Sequence, residues 1–441
     1  MNVSTHYQIR GKSGNQIAAS IEDAIRNGRI AAGARLPAIR SLAGHLAVSP
    51  TTVAAAYQTL RVRGLLHGSG RRGTLVNRRP PLVTPTMPRL PAGVRNLMDG
   101  NPDRRLLPSL RDAIRRVTCH APLYGGASDR PDLLALARTQ FEADHIAAQA
   151  VAVVGGAMDA IERVLQAHLR PGDVVGVEDP CYRGTLDLIS ALGLVAEPIA
   201  LDESGPRPEA LVGALHAGIS AVIVTPRGQN PTGAALERKR VSALSAILAR
   251  YPGVLLIEDD FTGPISGVPA FSLTAGRERW AVARSVSKFL GPDLRVAFIA
   301  GDPLTVARVQ GRQHLGPRWI SHVLQEAVVA LWSDAKIARL IKRAAETYTL
   351  RREALIRALK EHGIEARGHS GLNVWVPVVE ETSAVQSLLN DGWAVLAGES
   401  FRLKAPPGLR VMTATLEVEE APRLARAIAA AVRPRSASHV V

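Results

Sequence analysis

The sequence predicts two domains of different class: a small domain of three helices and a hairpin, then a large α/β domain with a mostly parallel sheet. Basic residues concentrate in the first eighty positions, a proline-rich stretch follows, and short apolar strands then alternate with amphipathic helices. The length of 441 residues also exceeds what one ordinary hydrophobic core supports. We therefore expect domains at 1–77 and 98–441, a linker at 78–97, and a smaller C-terminal α+β subdomain from about residue 330.

Charge is distributed unevenly along the chain. The formal net charge is +15, and residues 1–80 contain 12 Lys and Arg against 2 Asp and Glu. A basic N-terminal domain suggests a polyanionic partner, and nucleic acid is the first candidate. A solvated basic face would give the same count, so charge alone does not choose between these interpretations.

The N-terminal block has the spacing of three short helices. Apolar residues recur at helical intervals in 16–26, and a second apolar stripe follows Pro37. Ser49 is predicted to cap the third helix, and Pro50 suits its first position. Residues 65–76 have apolar ends and a basic tip, which predicts a hairpin of the kind called a wing.

Beyond the linker, each short apolar run is separated from the next by an amphipathic helix. The first run ends at Gly155-Gly156-Ala157, where a helix is predicted to begin. A glycine turn at a helix N-terminus can cradle a phosphate with free backbone N–H groups, although a Gly-Gly pair more often marks only a tight turn. The predicted strands are 151–154, 173–177, 221–224, 254–257, 280–283 and 296–300.

A lysine between two buried apolar runs is the most unusual feature of the chain. Lys288 lies in S-V-S-K-F-L-G-P-D-L-R, which spans Ser285 to Arg295. Burying a charged amine is costly, but the cost disappears if the amine is neutral or joined to an aldehyde cofactor as a Schiff base. Ser285 and Arg295 could both contact one phosphate of that cofactor. The alternative is a lysine that extends from a loop into solvent.

This stretch resembles the lysine segment of fold-type I aminotransferases, which bind pyridoxal 5'-phosphate (PLP). D-P-C-Y at 179–182, N-P-T-G at 230–233 and G-L-R-V at 408–411 resemble the same family. The resemblance implies that Lys288 is the catalytic lysine and that Arg410 binds the carboxylate of a substrate or effector. The implied cofactor residues are Lys288, Asp259, Asn230, Tyr182, Gly156, Ala157, Ser285, Ser287, Arg295 and Tyr124.

The resemblance also assigns roles to individual side chains. Asp259 would hold the pyridine nitrogen protonated, Asn230 would donate to the phenolic oxygen, and Tyr182 would stack on the ring. Tyr124 would reach the phosphate of the PLP in a neighbouring subunit, which requires a homodimer.

The N-terminal block resembles the winged-helix domain of GntR-family regulators. The resemblance rests on L-P-A-I-R-S-L-A at 36–43, V-S-P-T-T-V at 48–53 and G-R-R-G-T-L-V at 70–76. It implies DNA binding through a helix-turn-helix, with the wing arginines in the minor groove or at phosphates. The implied DNA contacts are Arg35, Arg40, Ser49, Thr51, Thr52, Arg71 and Arg72.

Three positions depart from the patterns of these families. Pro50 replaces a long polar residue, which weakens base readout by the recognition helix. Ala157 replaces a hydroxyl residue, so the backbone alone must serve the phosphate there. Phe261 replaces a tyrosine that donates to the phenolic oxygen of PLP, and this loss should reduce transamination.

The two resemblances together identify the chain with MocR-type regulators, in which a GntR winged helix precedes an aminotransferase-like domain. Stretches 156–163 and 319–325 are similar to members that regulate vitamin B6 salvage. This implies a PLP-responsive transcriptional regulator of pyridoxal kinase-type genes, with PLP, a related vitamer or an amino compound as effector. The rival is an active aminotransferase with an accessory DNA-binding domain. A PLP-free scaffold is disfavoured because Lys288, Asp259 and Asn230 occur together.

The remaining features exclude several classes of protein. No apolar run approaches the length of a membrane span, and the N-terminus lacks the apolar stretch of a signal peptide. Cys119 and Cys181 are the only cysteines, too few for a disulfide framework. We therefore expect a cytoplasmic protein with no membrane partner and no bound metal.

Overall fold

The computed structural model describes residues 9–27, 29–31, 33–62, 65–67, 73–76, 90–118 and 123–432. The chain divides into two compact units, one of residues 1–87, 169–174 and 184–196, and one of residues 88–168, 175–183 and 197–441. The wing residues Arg71 and Arg72, most of the predicted linker and Cys119 lie outside the described residues.

The N-terminal unit contains the three helices and the hairpin that the sequence predicts. The two strands of the hairpin pair antiparallel, Leu66 with Val76 and His67 with Leu75. The elements are α1 (Gly14–Arg26), α2 (Ile39–Leu46), α3 (Pro50–Val62), β1 (Leu66–His67) and β2 (Leu75–Val76).

Caps and a small apolar core explain why these helices form. Ser49 Oγ accepts a hydrogen bond from Thr52 N at 3.1 Å, and α3 begins at Pro50, which confirms the predicted cap. Tyr57 is fully buried, and its hydroxyl donates to Pro37 O at 2.8 Å, so its polar end is satisfied. The helices bury a shared core that includes Ile17, Ile21, Leu42, Val53 and Leu60.

The rest of the chain alternates strands and helices. The strands are β3 (Arg95–Asn96), β4 (Ala150–Val154), β5 (Val174–Asp179), β6 (Val195–Asp202), β7 (Gly205–Pro206), β8 (Ala221–Val224), β9 (Leu255–Asp260), β10 (Trp280–Ser285), β11 (Ala297–Gly301), β12 (Asn373–Pro377), β13 (Trp393–Ala394), β14 (Leu396–Ala397) and β15 (Gly408–Met412). The helices are α4 (Leu110–Ile114), α5 (Pro131–Ala143), α6 (Ala157–His168), α7 (Arg183–Ala191), α8 (Pro208–His216), α9 (Arg238–Leu248), α10 (Pro303–Leu315), α11 (His322–Trp332), α12 (Ala335–Glu361), α13 (Glu381–Asn390) and α14 (Ala421–Val432).

The large sheet is mostly parallel, as predicted. Within the described residues its strand order is β4-β11-β10-β9-β8-β5-β6-β7. Strands β5, β8, β9 and β10 pair parallel, whereas β11 runs antiparallel to both β10 and β4. The central strands are buried along their whole length, as expected for a sheet covered on both faces.

The C-terminal part forms a smaller α+β layer. Strands β12, β15 and β14 make an antiparallel sheet, and β13 pairs parallel with β3. Residues 95 and 96, at the end of the predicted linker, therefore belong to a paired strand. The shared core includes Leu97, Leu355, Val374, Trp393, Leu409 and Leu424. No helix in the described ranges has both the length and the apolarity needed to cross a membrane.

Candidate functional site

The candidate site lies where the parallel strands of the large sheet end. Asp259 is near the C-terminal end of β9, and Lys288 follows the end of the adjacent β10. Asn230 follows the next strand along the sheet, β8. Because the carboxyl ends of parallel strands meet at one edge, the fold delivers these side chains to the same region.

Lys288 lies in a setting that lowers the pKa of its amine. Its Nζ donates a hydrogen bond to Gly100 O at 2.6 Å. Burial lowers the pKa of this amine, and the charge of Arg410 lowers it further, whereas Asp99 and Asp259 oppose the shift. Lowering the pKa of an amine eases the loss of the proton that occupies its lone pair, as nucleophilic attack requires.

Asp259 and Asn230 both have buried oxygens with open hydrogen-bonding capacity. Oδ1 of Asp259 and Oδ1 of Asn230 have no hydrogen-bond partner among the described residues. Burial raises the pKa of Asp259 to about 7, with a further increase from Asp260 and a smaller opposing effect of Lys288. A buried polar atom without a partner costs free energy, so these two atoms indicate a binding function.

The glycine turn between β4 and α6 is built around an arginine. Gly156 has φ 128°, a backbone conformation that L residues rarely adopt, so glycine is favoured there, and a Cβ would lie 2.6 Å from Arg295 Nη2. Arg295 Nη2 donates to Gly155 O at 3.1 Å. Ala157 is the first residue of α6, so its turn presents backbone N–H groups that have no partner within the helix. The turn and the guanidinium together form a site suited to an anion.

The two serines before Lys288 are buried and bonded to each other. Ser285 Oγ accepts from Ser287 N at 3.1 Å and donates to Ser287 Oγ at 3.0 Å. These contacts fix the backbone that leads from β10 to Lys288, so both serines contribute at least to the shape of the segment.

Arg410 lies on β15 with its guanidinium buried. It donates to Met98 O through Nη2 and packs on the ring of Phe401 at 5.3 Å, while its Nε has no partner within the described part of the chain. Burial lowers the pKa of Arg410 to about 10, and Tyr182 partly opposes this shift. Tyr182 itself is 42% exposed. Arg410 is thus a buried cation with an unpartnered N–H, the kind of group that carboxylate binding requires.

Tyr124 is separate from this buried cluster. It is 79% exposed, its ring packs edge-on against Trp319 at 5.5 Å, and Arg318 lies 5.0 Å from the ring centroid. The structure thus places Tyr124 in an exposed aromatic group on the surface.

The residues implied in DNA contact lie mainly on the surface of the N-terminal unit. The side chain of Arg35 lies beside Gly73 at the base of the wing, where a Cβ on Gly73 would be 3.6 Å away from it. Thr52 is half-buried and its hydroxyl lies 2.8 Å from Ser49 Oγ. The hydroxyls of Ser49 and Thr52 are therefore already engaged in the helix cap, which limits their use in base contacts. The exposed members are Arg35, Arg40, Ser49 and Thr51.

A paired ionic cluster next to Asp259 was not predicted from the sequence. Asp260 accepts from Arg227 and Arg284 at 2.7–2.8 Å, and both arginines also bond Asp144. The run E-D-D at 258–260 places Asp260 next to Asp259, but nothing local to it identifies the arginine partners. Glu178 was not predicted either; its carboxylate accepts hydrogen bonds from Thr225 N at 3.1 Å and from Gln229 Nε2 at 3.2 Å.

Comparison with known proteins gives a family match for each of the two predicted domains. Residues 13–76 match the model for bacterial regulatory proteins of the gntR family, and residues 100–428 match the model for aminotransferase class I and II. The chain is 40% identical to the vitamin B6 salvage pathway transcriptional repressor PtsJ of Salmonella typhimurium, over 95% of this chain and 98% of that protein. The chain belongs to the GntR-family regulators that carry an aminotransferase class I and II domain.

Other relatives of this GntR-family regulator agree with that assignment. The pyridoxine biosynthesis transcriptional regulator PdxR of Corynebacterium glutamicum is 28% identical over 76% of each chain. Kynurenine aminotransferase of Pyrococcus horikoshii superposes with a TM-score of 0.71 at 20% identity, over 77% of this chain and 91% of that one. The likeness confirms the predicted aminotransferase-type fold, and the gntR match implies that the regulator binds DNA.

Proposed function

We propose that this chain is a PLP-responsive DNA-binding regulator of vitamin B6 salvage genes, with its aminotransferase-like domain as the sensor. The observation that carries the proposal is the pair of unpartnered buried oxygens, on Asp259 and Asn230, beside a lysine whose pKa is lowered. A PLP ring offers a protonated nitrogen for the Asp259 oxygen and a phenolic oxygen to which the amide nitrogen of Asn230 would donate. PtsJ and PdxR, both named for vitamin B6 pathways, support the choice of pathway.

The residues present fit PLP in their chemistry. The open Asp259 oxygen suits a protonated ring nitrogen, and the Gly156 turn with Arg295 suits a phosphate. When bound, PLP supplies an aldehyde and an electron-withdrawing ring. Lys288 would hold the aldehyde carbon through Nζ, with Tyr182 available to pack on the ring. Ala157 would contribute through its backbone, and Ser285 and Ser287 would complete the phosphate side.

The chain's own residues would then set what the bound ligand can do. Asp259 would carry the charge that keeps a proton on the ring nitrogen. Arg410 would bind the carboxylate of an amino compound, because its Nε is buried without a partner among the residues described. Phe261 is half-buried and has no hydroxyl to donate to the ring oxygen, which favours sensing over turnover.

A homodimer is part of this proposal. The exposure of Tyr124 suits a residue that reaches into a second copy of the chain. In a dimer two winged helices would engage two half-sites, which would compensate for the weakened readout at Pro50. The domains at 1–77 and 98–441 stay a prediction, with the linker ending before residue 95, because residues 95 and 96 pair with β13. A regulator of bacterial operators would act in the cytoplasm.

A second candidate function is turnover of an amino acid by the same site. The buried Nε of Arg410 favours it, because carboxylate binding serves an enzyme as well as a sensor. The two functions differ in one measurement, the release of a keto acid from an amino acid by the PLP-loaded protein.

The cofactor half of the proposal is tested by reductive trapping. Protein mixed with PLP should gain a visible absorbance band, lose it on borohydride treatment, and yield one modified peptide containing Lys288. Lys288→Ala should bind PLP without the covalent link, because the Gly156 turn and Arg295 remain. An adduct mapped to another lysine would refute the assignment of Lys288.

The DNA half is tested with a fragment that the protein selects from a random-sequence library. Arg40→Ala should weaken binding about tenfold and reduce its salt dependence, because a phosphate contact is lost. Arg29→Ala is the matched control, since Arg29 pairs with Asp23 in the same unit and has no implied DNA contact. If the two changes weaken DNA binding equally, Arg40 contributes only positive charge to the domain and makes no specific contact with DNA.

A further inference from the structure

The beginning of α11 holds the loop that carries Tyr124, here called the Tyr124 loop (residues 123–130). Gln325 is completely buried, and its amide is fully used. Its Oε1 accepts from Arg130 N at 2.8 Å, and its Nε2 donates to Ser128 O at 3.0 Å and to Ile320 O at 2.7 Å. One side chain thus ties the loop's C-terminal end to the segment before α11.

Glu326, the next residue, connects both sides of the loop. Its Oε1 accepts from Thr118 N at 2.8 Å and from Thr118 Oγ1 at 3.1 Å, and its Oε2 lies 3.3 Å from Arg130 Nη1. The ring of His322 adds a contact of 3.0 Å between Nε2 and Ser128 O. Thr118, before the Tyr124 loop, and Ser128 and Arg130, within it, are therefore bound to one turn of one helix.

The tip of the loop contacts the same segment. Trp319 and Arg318, which flank the Tyr124 ring, lie immediately before α11. Ile320 in turn lies close to the glycine turn, since a Cβ on Gly155 would be 3.6 Å from Ile320 Cδ1. Residues 318–326 therefore join the Tyr124 loop to the anion site of the same chain.

We propose that Gln325 and Glu326 are positioning residues that hold Tyr124 in the orientation needed to serve the cofactor phosphate of a second copy. The inference rests on the proposed function, because it assumes a PLP-binding dimer. A short loop with an exposed aromatic tip would sample many orientations unless its ends were fixed. Fixing them before binding removes that entropy cost from the binding step.

Comparing the binding of PLP with that of pyridoxal distinguishes a positioning role of Gln325 and Glu326 from a role in fold stability. Pyridoxal has the ring and aldehyde of PLP but no phosphate, so Tyr124 would have nothing to contact on it. A residue that acts through Tyr124 should therefore affect the affinity for PLP and leave the affinity for pyridoxal unchanged. A residue that only supports the fold should weaken both ligands alike.

The experiment measures dissociation constants of PLP and pyridoxal for wild type, Gln325→Met, Tyr124→Phe and the double variant, with the dimer checked by light scattering. We expect Gln325→Met to weaken the binding of PLP about tenfold, which is the contribution of one hydrogen bond to a charged group. The affinity for pyridoxal should not change. In the Tyr124→Phe background the same change should cost less than about twofold, because the two residues act as one unit.

Glu326→Gln provides a second variant if Gln325→Met does not fold, since Glu326 is 12% exposed and its replacement is isosteric. Its matched control is Glu353→Gln, which removes a carboxylate paired with Arg357 on α12. Equal losses for PLP and pyridoxal, additive losses in the Tyr124→Phe background, or loss of the dimer would each overturn the inference. Failure of the wild type to bind PLP would instead overturn the proposed function.

Discussion

Two neighbouring residues of β9 belong to very different buried surroundings. Asp260 is bonded to Arg227 and Arg284, and although burial raises its pKa, these two guanidinium groups outweigh that effect and hold it far below the usual range. Asp259 faces the opposite side of the strand, keeps one oxygen without a partner in the described structure, and has its pKa raised to about 7.

The two surroundings differ in whether the buried charged and polar groups have partners inside the protein. The Asp260 cluster is saturated, because each charge already has its partner inside the protein. The Asp259 surroundings are unsaturated, since Asp259 Oδ1 and Arg410 Nε have no partner among the described residues, and the pKa values of Lys288 and Arg410 are both lowered by burial. An unsaturated buried site is costly for stability, and a fold retains it for function.

The largest effect should come from breaking the saturated cluster. Asp260→Ala would leave the buried charges of Arg227 and Arg284 without their main partner, so we expect a loss of about 3–5 kcal/mol in the free energy of unfolding. Urea denaturation followed by circular dichroism measures it. A variant as stable as wild type would remove the distinction between the two clusters.

In the protein without PLP, Asp259→Asn should increase stability at high pH, whereas Asp260→Ala decreases it. The raised pKa means that Asp259 contributes most stability below its ordinary value of 3.8, and that this contribution is lost as pH rises through about 7. At pH 8 the variant should therefore be more stable than wild type, by an amount on the order of 1–3 kcal/mol. The gain should vanish near pH 4.

Thermal or urea unfolding across pH 4 to 8 checks this prediction. Burial also raises the pKa values of Glu178 and Glu258 to about 7, so these groups also destabilise the protein as pH rises. The variant should therefore keep part of the pH dependence of stability that the wild type shows. The same variant should bind PLP more weakly, because the ring nitrogen loses its carboxylate. If Asp259→Asn is less stable than the wild type at pH 8, Asp259 stabilises the fold.

The smallest effect should come from Phe261→Tyr, which adds one hydroxyl to the unsaturated side. We expect a shift in the pH dependence of the PLP absorbance band, a change of about 1 kcal/mol or less in stability, and a rise in amino acid turnover. Stopped-flow absorbance with an added amino acid measures the turnover. No change in the spectrum would place Phe261 away from the bound ring.

Local patterns in the sequence were enough to predict several features of the structure. The spacing around Lys288 indicated a lysine just after a buried strand, and Ser49 with Pro50 gave the start of α3. Gly156 marked the turn into α6, where the structure places Arg295 against it. These features depend on neighbours in the chain or on a single strand–turn–helix unit.

The remaining features depend on partners far apart in the chain, which no local spacing reveals. Gly100 accepts from Lys288, and Met98 accepts from Arg410. Gln325 was visible in the sequence only as part of a resembling stretch, and its contacts with the Tyr124 loop required the fold. Hydrogen bonds to backbone atoms are especially hard to predict, since any residue type can supply them.

The central claim is that the unsaturated site controls DNA binding, and one titration tests it most directly. A single selected operator fragment is titrated at fixed salt with the protein without ligand, with PLP, and with pyridoxamine phosphate. Because a ligand shifts a conformational equilibrium only through unequal affinity for its states, a sensor predicts different operator affinities for these forms, with negligible amino acid turnover. Identical affinities in all three forms, together with rapid turnover of an amino acid, would contradict the account.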